Sequence, residues 1–263
     1  MTPAEPEVLK SCCATVYANP LTSLLLGESW HPGGLILTEE LGRRLALSPT
    51  DLVLDVASGQ GASARMMAER FHCRVVGIDD GSEQVSQARR ETKRNGVQGV
   101  SFVEGDAERL PWANASADVV VCECALCTFP TPKAAVQEWA RVLKPGGRVG
   151  LTDMTRYGPL PPAFDSLAGW IGCIAGAQPL EGYAELLADA GFLVRSREDH
   201  SEALMALVNR IGRALVSWLQ FQGPLARVGD WSQEDVEHQL GEIRQAINAG
   251  RIGYGLITAW KTV

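Results

Sequence analysis

Short apolar runs alternate with amphipathic stretches along much of the chain, and this pattern predicts alternating strands and helices. Leu52–Val56 (LVLDV) and Arg74–Asp79 (RVVGID) have the apolar, β-branched character of strands buried on both faces. Three further strands are predicted at residues 101–106, 118–124 and 148–153. Amphipathic periodicity and capping signals predict helices at residues 35–45, at Ala62–Phe71, at residues 82–94, and from Pro132 onward with Thr131 as the cap.

The carboxyl-terminal part of the chain follows a different pattern. Residues 155–178 are rich in proline and glycine with scattered aromatic side chains, which predicts a cover over a ligand site. A sixth strand is predicted at residues 192–200. Two amphipathic helices follow, at residues 202–221 and after a Ser232 cap, and they precede a closing strand at residues 253–261.

These elements predict an α/β fold. We expect a doubly wound, Rossmann-like, seven-stranded sheet, mostly parallel with an antiparallel last strand, and an inserted helical subdomain near the carboxyl terminus. The predicted units are amino-terminal helices forming a lid (1–47), a cofactor-binding core (48–200), a helical insertion (201–250) and a closing edge strand (251–263). The ligands of such sheets collect at the carboxyl ends of the strands.

Composition and charge narrow the possible partners. The chain of 263 residues carries 24 basic and 31 acidic residues, a net charge of −7, and no basic run, which argues against a nucleic-acid substrate. No apolar stretch reaches the length of a membrane span, and residues 1–10 lack a signal-peptide pattern. We expect a cytoplasmic protein that acts on a small molecule, away from membranes. The sequence leaves the oligomeric state open.

The stretch VLDVASGQGASA joins the first strand to the helix that follows it, and it predicts a nucleotide-binding corner. Gly59 and Gly61 allow a sharp turn and a close approach to a ligand. Together with Ala64 they satisfy the G-x-G-x-x-G/A pattern of nicotinamide binding, and Asp79 follows at the spacing of a ribose-binding acid. S-adenosylmethionine is the alternative cofactor, because an acid inside the strand, Asp55, would neutralise its cationic amino and sulfonium groups.

The next strand ends favour the second cofactor. Asp79 ends the second strand and suits both ribose hydroxyls. Asp106 follows the third strand and can accept from an adenine amino group, while the amide of Ala107 donates to the ring. The segments VLDVASGQG, VVGID, VEGDAERLPW, ADVVVCECAL and RVLKPGGRV resemble, in order and spacing, the class I S-adenosylmethionine-dependent methyltransferases. We add Cys122, on the fourth strand, to the predicted cofactor contacts.

The cysteines carry the candidate acceptor chemistry. Their positions fit neither a disulfide framework nor the paired C-x-x-C pattern of structural zinc. Two stretches, CECALCTFPTPKAAVQEWARVLKPGG and CIAGAQPLEGYAELLADAGF, resemble the arsenite methyltransferases, and the resemblance implies metalloid-binding thiolates at Cys124 and Cys173. The further cysteine that this family usually carries before the first strand is missing, so Cys12 or Cys13 is the candidate substitute. Cys73 is interpreted as structural.

The predicted function is therefore S-adenosylmethionine-dependent methyl transfer to a thiolate-bound soft acceptor, trivalent arsenic in the first place, with a thiol reductant as partner. Selenium, tellurium or thiol acceptors remain alternatives, because Glu123 replaces the neutral residue expected beside Cys124. A quinone- or sterol-like C- or O-methyltransferase is a second hypothesis, and a non-catalytic metalloid-binding protein is a third. His31 is interpreted either as a residue at the substrate mouth or, as is commoner, a surface loop residue.

Overall fold

The described residues form one mixed sheet flanked by helices. The computed structural model describes residues 31–160, 173–174, 176–223 and 232–262. Its strands are β1 Leu52–Val56, β2 Arg74–Asp79, β3 Val100–Glu104, β4 Ala117–Glu123, β5 Leu143–Arg156, β6 Phe192–Asp199 and β7 Ile252–Lys261. Its helices are α1 Gly34–Arg44, α2 Ala62–Phe71, α3 Ser82–Asn95, α4 Pro132–Val142, α5 Leu180–Asp189, α6 Ser201–Gln222 and α7 Gln233–Asn248.

The prediction that residues 251–263 form a closing edge strand is wrong in its position, because β7 pairs with strands on both sides and β6 forms the edge. The sheet is otherwise doubly wound and mostly parallel, as predicted. Its strands lie in the order β3-β2-β1-β4-β5-β7-β6. The neighbours from β3 to β5 pair in parallel, and β7 pairs antiparallel with both β5 and β6. The strands β1 to β3 follow one another toward one side of the sheet, and the chain then crosses back to place β4 on the other side of β1. Ligands of doubly wound folds bind at this switch point between β1 and β4.

The predicted elements differ from the structure mainly at β5. The turn predicted at KPGG (residues 144–147) lies inside that strand as an irregular step. Leu143 pairs with Ala117 and Arg148 already pairs with Val119, so extra residues of β5 bulge out between the two pairs. Gly146 accommodates this bulge with a φ of 72°. Thr131 occupies the predicted N-cap position of α4, but its side chain makes no capping hydrogen bond.

Two helices occupy the connection between β6 and β7. Helix α7 begins with a capping box, in which the Ser232 hydroxyl accepts from the amide of Asp235 and the Asp235 carboxylate accepts from the amide of Ser232. Leu219 of α6 and Val236 and Leu240 of α7 form a small apolar cluster of their own. Across the described ranges, no helix has the length and hydrophobicity needed to span a bilayer.

Gly61, the residue before α2, is required by both backbone and packing. Its φ is +74°, and a Cβ built there would lie 2.3 Å from Cζ of Phe102. Gly96 has a similar φ of +68° with nothing within 4 Å of the same position. The two glycines therefore share the backbone requirement and differ in the close contact.

We predict that Gly96→Ala lowers the free energy of unfolding by about 1 kcal/mol, the cost of a left-handed non-glycine residue. Gly61→Ala is expected to cost roughly 1–3 kcal/mol more, because its methyl group overlaps the Phe102 ring. Urea denaturation of the two variants and the wild-type protein measures both values. Equal losses would show that Phe102 yields freely and that the close contact has no energetic weight.

Candidate cofactor and thiol site

The turn after β1 is fastened to the end of β2. Ala57, Gly59 and Gly61 have positive φ values of 59°, 53° and 74°. The amide of Gly59 donates to Oδ2 of Asp79 at 2.8 Å, and the amide of Gly61 donates to the carbonyl of Ser58 at 2.9 Å. Because α2 begins at this turn, its amino-terminal amides lie beside the carboxyl ends of the strands.

Asp55 is a buried carboxylate without a full set of partners. It is 2% exposed, and its Oδ2 has no hydrogen-bond partner among the described residues. Burial raises the pKa of Asp55 well above its usual value, the charges of Glu123 and Asp79 raise it further, and the amide of Ala64 partly opposes them. A cationic ligand beside Asp55 would supply both the missing partner and the opposite charge.

The two other predicted acids lie at the ends of neighbouring strands. Asp79 accepts from the amides of Gly59 and Gly81, at 2.8 and 3.0 Å, and burial raises its pKa to about 6. Asp106 follows β3 in a tight turn with Ala107, where its Oδ1 accepts from the amide of Glu108 at 2.9 Å.

The order β3-β2-β1 places these three acids in a row at the carboxyl ends of adjacent strands. This row suits a ligand with a cationic end at Asp55, a ribose at Asp79 and a base near Asp106. A nucleoside joined to a cationic amino acid, which is the make-up of S-adenosylmethionine, has these parts. A dinucleotide would place its anionic pyrophosphate at the glycine turn, and this would leave the buried Asp55 oxygen without a counter-charge.

Three thiols meet beside this row, beyond the end of β4. Cys173 Sγ donates to the carbonyl of Cys124 at 3.5 Å. Cys173 also raises the pKa of the Cys124 and Cys127 thiols, which indicates that the three side chains lie close together. The structure thus brings together the two cysteines that the sequence selected, although 49 positions separate them.

The environment of these thiols keeps them protonated. Hydrogen bonding to Cys173 and burial raise the pKa of Cys124 well above its usual value, and Tyr254 partly opposes this. Burial, followed by the hydrogen bond to Cys173, raises the pKa of Cys127 in the same direction. The backbones of Cys124 and Cys173 have positive φ values of 54° and 62°. Left-handed non-glycine residues cost of order 1 kcal/mol or more each and concentrate at functional sites.

Asp153, near the end of β5, holds the loop that carries Cys127. It is 1% exposed; its Oδ2 accepts from the amide of Cys127 at 3.0 Å, and its Oδ1 accepts from the amide of Met154 at 2.7 Å. Burial and the neighbouring Cys173 raise the pKa of Asp153 to about 7. Sequence reasoning missed both Asp153 and Cys127. The Cys124-Ala-Leu-Cys127 spacing was the available signal for Cys127.

A second polar cluster forms where α1 meets β4. The Thr38 hydroxyl lies 3.1 and 3.0 Å from the two carboxylate oxygens of Glu123 and 3.1 Å from Nε2 of His31. His31 Nε2 lies 3.5 Å from the Glu123 carboxylate. His31 is 6% exposed, so its interpretation as a surface loop residue is wrong. The sequence pattern could not show this, because the contact joins residues far apart in the chain.

The remaining candidate residues are buried within the sheet or lie outside the described residues. Cys122 is fully buried within β4, paired with Val56 and Leu151. Cys73 is buried at the start of β2, where its thiol donates to the carbonyl of Met67 at 3.5 Å and burial raises its pKa to about 11. This supports a structural role for Cys73. Cys12 and Cys13 lie outside the described residues.

Comparison with known proteins agrees with the cofactor geometry. A family model described as a methyltransferase domain matches residues 54–151. The chain is 30% identical over 236 residues to the 27-O-demethylrifamycin SV methyltransferase of Amycolatopsis mediterranei, covering 86% of this chain and 82% of that protein. It is 33% identical over 153 residues to an arsenite methyltransferase of Halobacterium salinarum, covering 56% and 38%.

For the arsenite methyltransferase and six other curated relatives, the region of similarity spans only 33% to 63% of the relative's own length. Among solved structures, the geranyl diphosphate C-methyltransferase of Streptomyces coelicolor, in complex with S-adenosylhomocysteine, superposes with a TM-score of 0.77 at 17% identity over the whole of both chains. The fold is therefore shared in full. Through the family model and the Amycolatopsis relative, this chain belongs to the class I S-adenosylmethionine-dependent methyltransferases, and S-adenosylmethionine is its cofactor.

Proposed function

We propose that this methyltransferase transfers its methyl group to a soft acceptor held by Cys124 and Cys173, and that the acceptor is trivalent arsenic. One observation carries the proposal: the Cys173 thiol contacts the backbone of Cys124 at the end of β4, beside the acids that fit the cofactor, and the two cysteines influence each other's environment. Thiolate is the preferred ligand of soft ions. Pyramidal coordination of arsenic by sulfur leaves its lone pair free to attack a methyl group.

The acids of this chain would hold the cofactor in front of the thiols. Asp55 would pair with the cationic end, Asp79 would accept from the ribose hydroxyls and Asp106 would lie at the adenine. Bound S-adenosylmethionine supplies an electrophilic methyl group on a sulfonium. The chain needs no base at the acceptor atom, because the arsenic lone pair carries no proton. Its work is to orient the acceptor and to exclude water.

The proposed transfer is balanced with an external reductant. The arsenic lone pair forms the As–C bond while the S–C bond of the cofactor breaks and its electron pair stays on sulfur. Arsenic rises formally from +3 to +5. A thiol reductant then supplies two electrons and becomes a disulfide, which returns the methylated product to the trivalent state. The thiol reductant is therefore part of the proposal as a partner.

We predict that Cys124→Ser and Cys173→Ser each lower the rate of arsenite methylation by at least a hundredfold, because each change removes a sulfur ligand that positions the arsenic lone pair toward the methyl group. Purified protein, S-adenosylmethionine, a thiol reductant and arsenite are incubated, and methylated arsenicals are separated and identified by mass. Cys73→Ser is the matched control, since Cys73 is as buried as Cys173 and lies at the opposite, amino-terminal end of its strand; it should retain activity.

Affinity for S-adenosylhomocysteine, measured by calorimetry, shows whether each variant is folded and cofactor-competent. If the wild-type protein binds this ligand but makes no methylarsenical, arsenite is ruled out as the acceptor. Activity retained in both variants would remove the thiols from the mechanism.

We predict that cofactor binding weakens in acid, with a midpoint near pH 6. Burial raises the pKa of Asp79 to about 6, and a protonated carboxyl is a poorer acceptor for ribose hydroxyls. Below that pKa the Asp79 carboxyl of the free protein is protonated and must lose its proton before the ligand binds. The Kd of S-adenosylhomocysteine should therefore rise about tenfold between pH 7.5 and pH 5. Titration calorimetry at several pH values measures this.

Asp79→Asn should bind weakly at every pH, with a flatter profile. Asp189→Asn, a change at an exposed carboxylate on α5, should reproduce the wild-type profile. A wild-type Kd that is constant from pH 7.5 to pH 5 would remove Asp79 from the ribose site.

The His31–Glu123 pair favours a second candidate function, methyl transfer to a hydroxylated organic acceptor. The Amycolatopsis relative is named for O-methylation, and an imidazole next to a carboxylate can accept a hydroxyl proton during transfer. This hypothesis predicts that His31→Ala lowers transfer to a hydroxylated acceptor by about 10²–10⁴-fold. Arsenite methylation in the same variant should stay within twofold. A screen of hydroxylated aromatic and polyketide acceptors by product mass tests it, and no product from any acceptor would reject it.

A further inference from the structure

We propose that Cys127 supplies a third sulfur ligand, so that Cys124, Cys127 and Cys173 form the complete acceptor site. The inference rests on the proposed function and deepens it by naming the ligand set. It makes the amino-terminal pair Cys12 and Cys13 unnecessary for holding the acceptor.

Position is the first argument. Cys127 lies in the short 3-10 helix Leu126–Thr128 that follows β4, and it is 3% exposed. The turn is closed by the amide of Thr128, which donates to the carbonyl of Ala125 at 2.8 Å. The Asp153 carboxylate holds the amide of Cys127. Both hydrogen bonds are donated by backbone amides, so they fix the loop without using the Cys127 thiol.

Contact between the thiols is the second argument. Cys173 Sγ lies 3.5 Å from the carbonyl oxygen of Cys124, and Cys173 raises the pKa of both the Cys124 and the Cys127 thiol, so all three side chains are neighbours. Among the described residues, the one group of three ligating side chains whose ligand atoms all lie within 4.8 Å is Glu40, Glu198 and His200. The three sulfurs are spaced more widely than that. Drawing them onto one arsenic atom requires rotation about a Cα–Cβ bond, which is a small change for a cysteine side chain.

Acceptor chemistry is the third argument. Arsenite is present near neutral pH as the uncharged hydroxide As(OH)₃. Three S–H bonds and three As–O bonds break, three As–S bonds form, and the protons leave with the hydroxyl groups as three waters. No electron is transferred and no net charge enters the protein. This exchange suits thiols that burial keeps protonated until the acceptor arrives.

We predict that Cys127→Ser loses one sulfur ligand and at least tenfold in arsenite affinity. Arsenic X-ray absorption on the full chain should count three sulfur neighbours in the wild-type protein and two in this variant. Cys12→Ser/Cys13→Ser, made together, is the matched control and should retain three. Phenylarsine oxide needs only two thiols, so Cys127→Ser should bind it within threefold of the wild-type affinity. Binding of S-adenosylhomocysteine checks the fold of each variant.

Each outcome bears on the proposal. Three sulfurs retained in Cys127→Ser, or lost in the double variant, would overturn the assignment of Cys127 and leave arsenite methylation standing. A Cys127→Ser protein that loses phenylarsine oxide as well as arsenite would show a structural role, which also overturns it. Wild-type protein that binds no arsenite would overturn both this inference and the proposed acceptor.

Discussion

The buried carboxylate of Asp55 is the constraint around which the site is arranged. One of its oxygens lacks a partner among the described residues, and Glu123 and Asp79 add negative charge nearby. Desolvation of an unpaired acid is costly, and neighbouring acids increase the cost. A cationic ligand removes the penalty. The fold therefore carries an electrostatic strain at the carboxyl end of β1 that its cofactor is suited to relieve.

Sheet topology divides the site at this point. The acids that fit the cofactor follow β1, β2 and β3 on one side of Asp55, whereas the thiols and Asp153 follow β4 and β5 on the other. Since β1 and β4 are neighbours, a cofactor on the first side would face the thiols on the second. The left-handed backbones of Cys124 and Cys173 lie on this second side. Backbone strain and thiol side chains thus coincide at the proposed acceptor site.

Fold and family leave the acceptor undetermined. Relatives named for arsenite, rifamycin and sterol methylation all match this chain, so sequence similarity does not select one of these chemistries. The side chains beyond β4 are the candidates for that selection. The thiol cluster and the His31–Glu123 pair both lie near the carboxyl end of β4. The thiols suit an acceptor with a free lone pair, whereas the His31–Glu123 pair suits an acceptor that must lose a proton.

The sequence by itself determined the strands, most helix limits and the doubly wound, mostly parallel class of the sheet, and it predicted the cofactor acids. Leu52–Val56, Ala62–Phe71 and Arg74–Asp79 have the predicted limits, because hydrophobic periodicity and glycine turns follow from local backbone geometry. Only the tertiary structure decided which side chains meet. It joined Cys173 to Cys124 across 49 positions and Thr38 to Glu123 across 85, buried His31, and added Cys127 and Asp153 to the site. Such contacts result from many weak packing interactions acting together, and no local pattern in the chain records them.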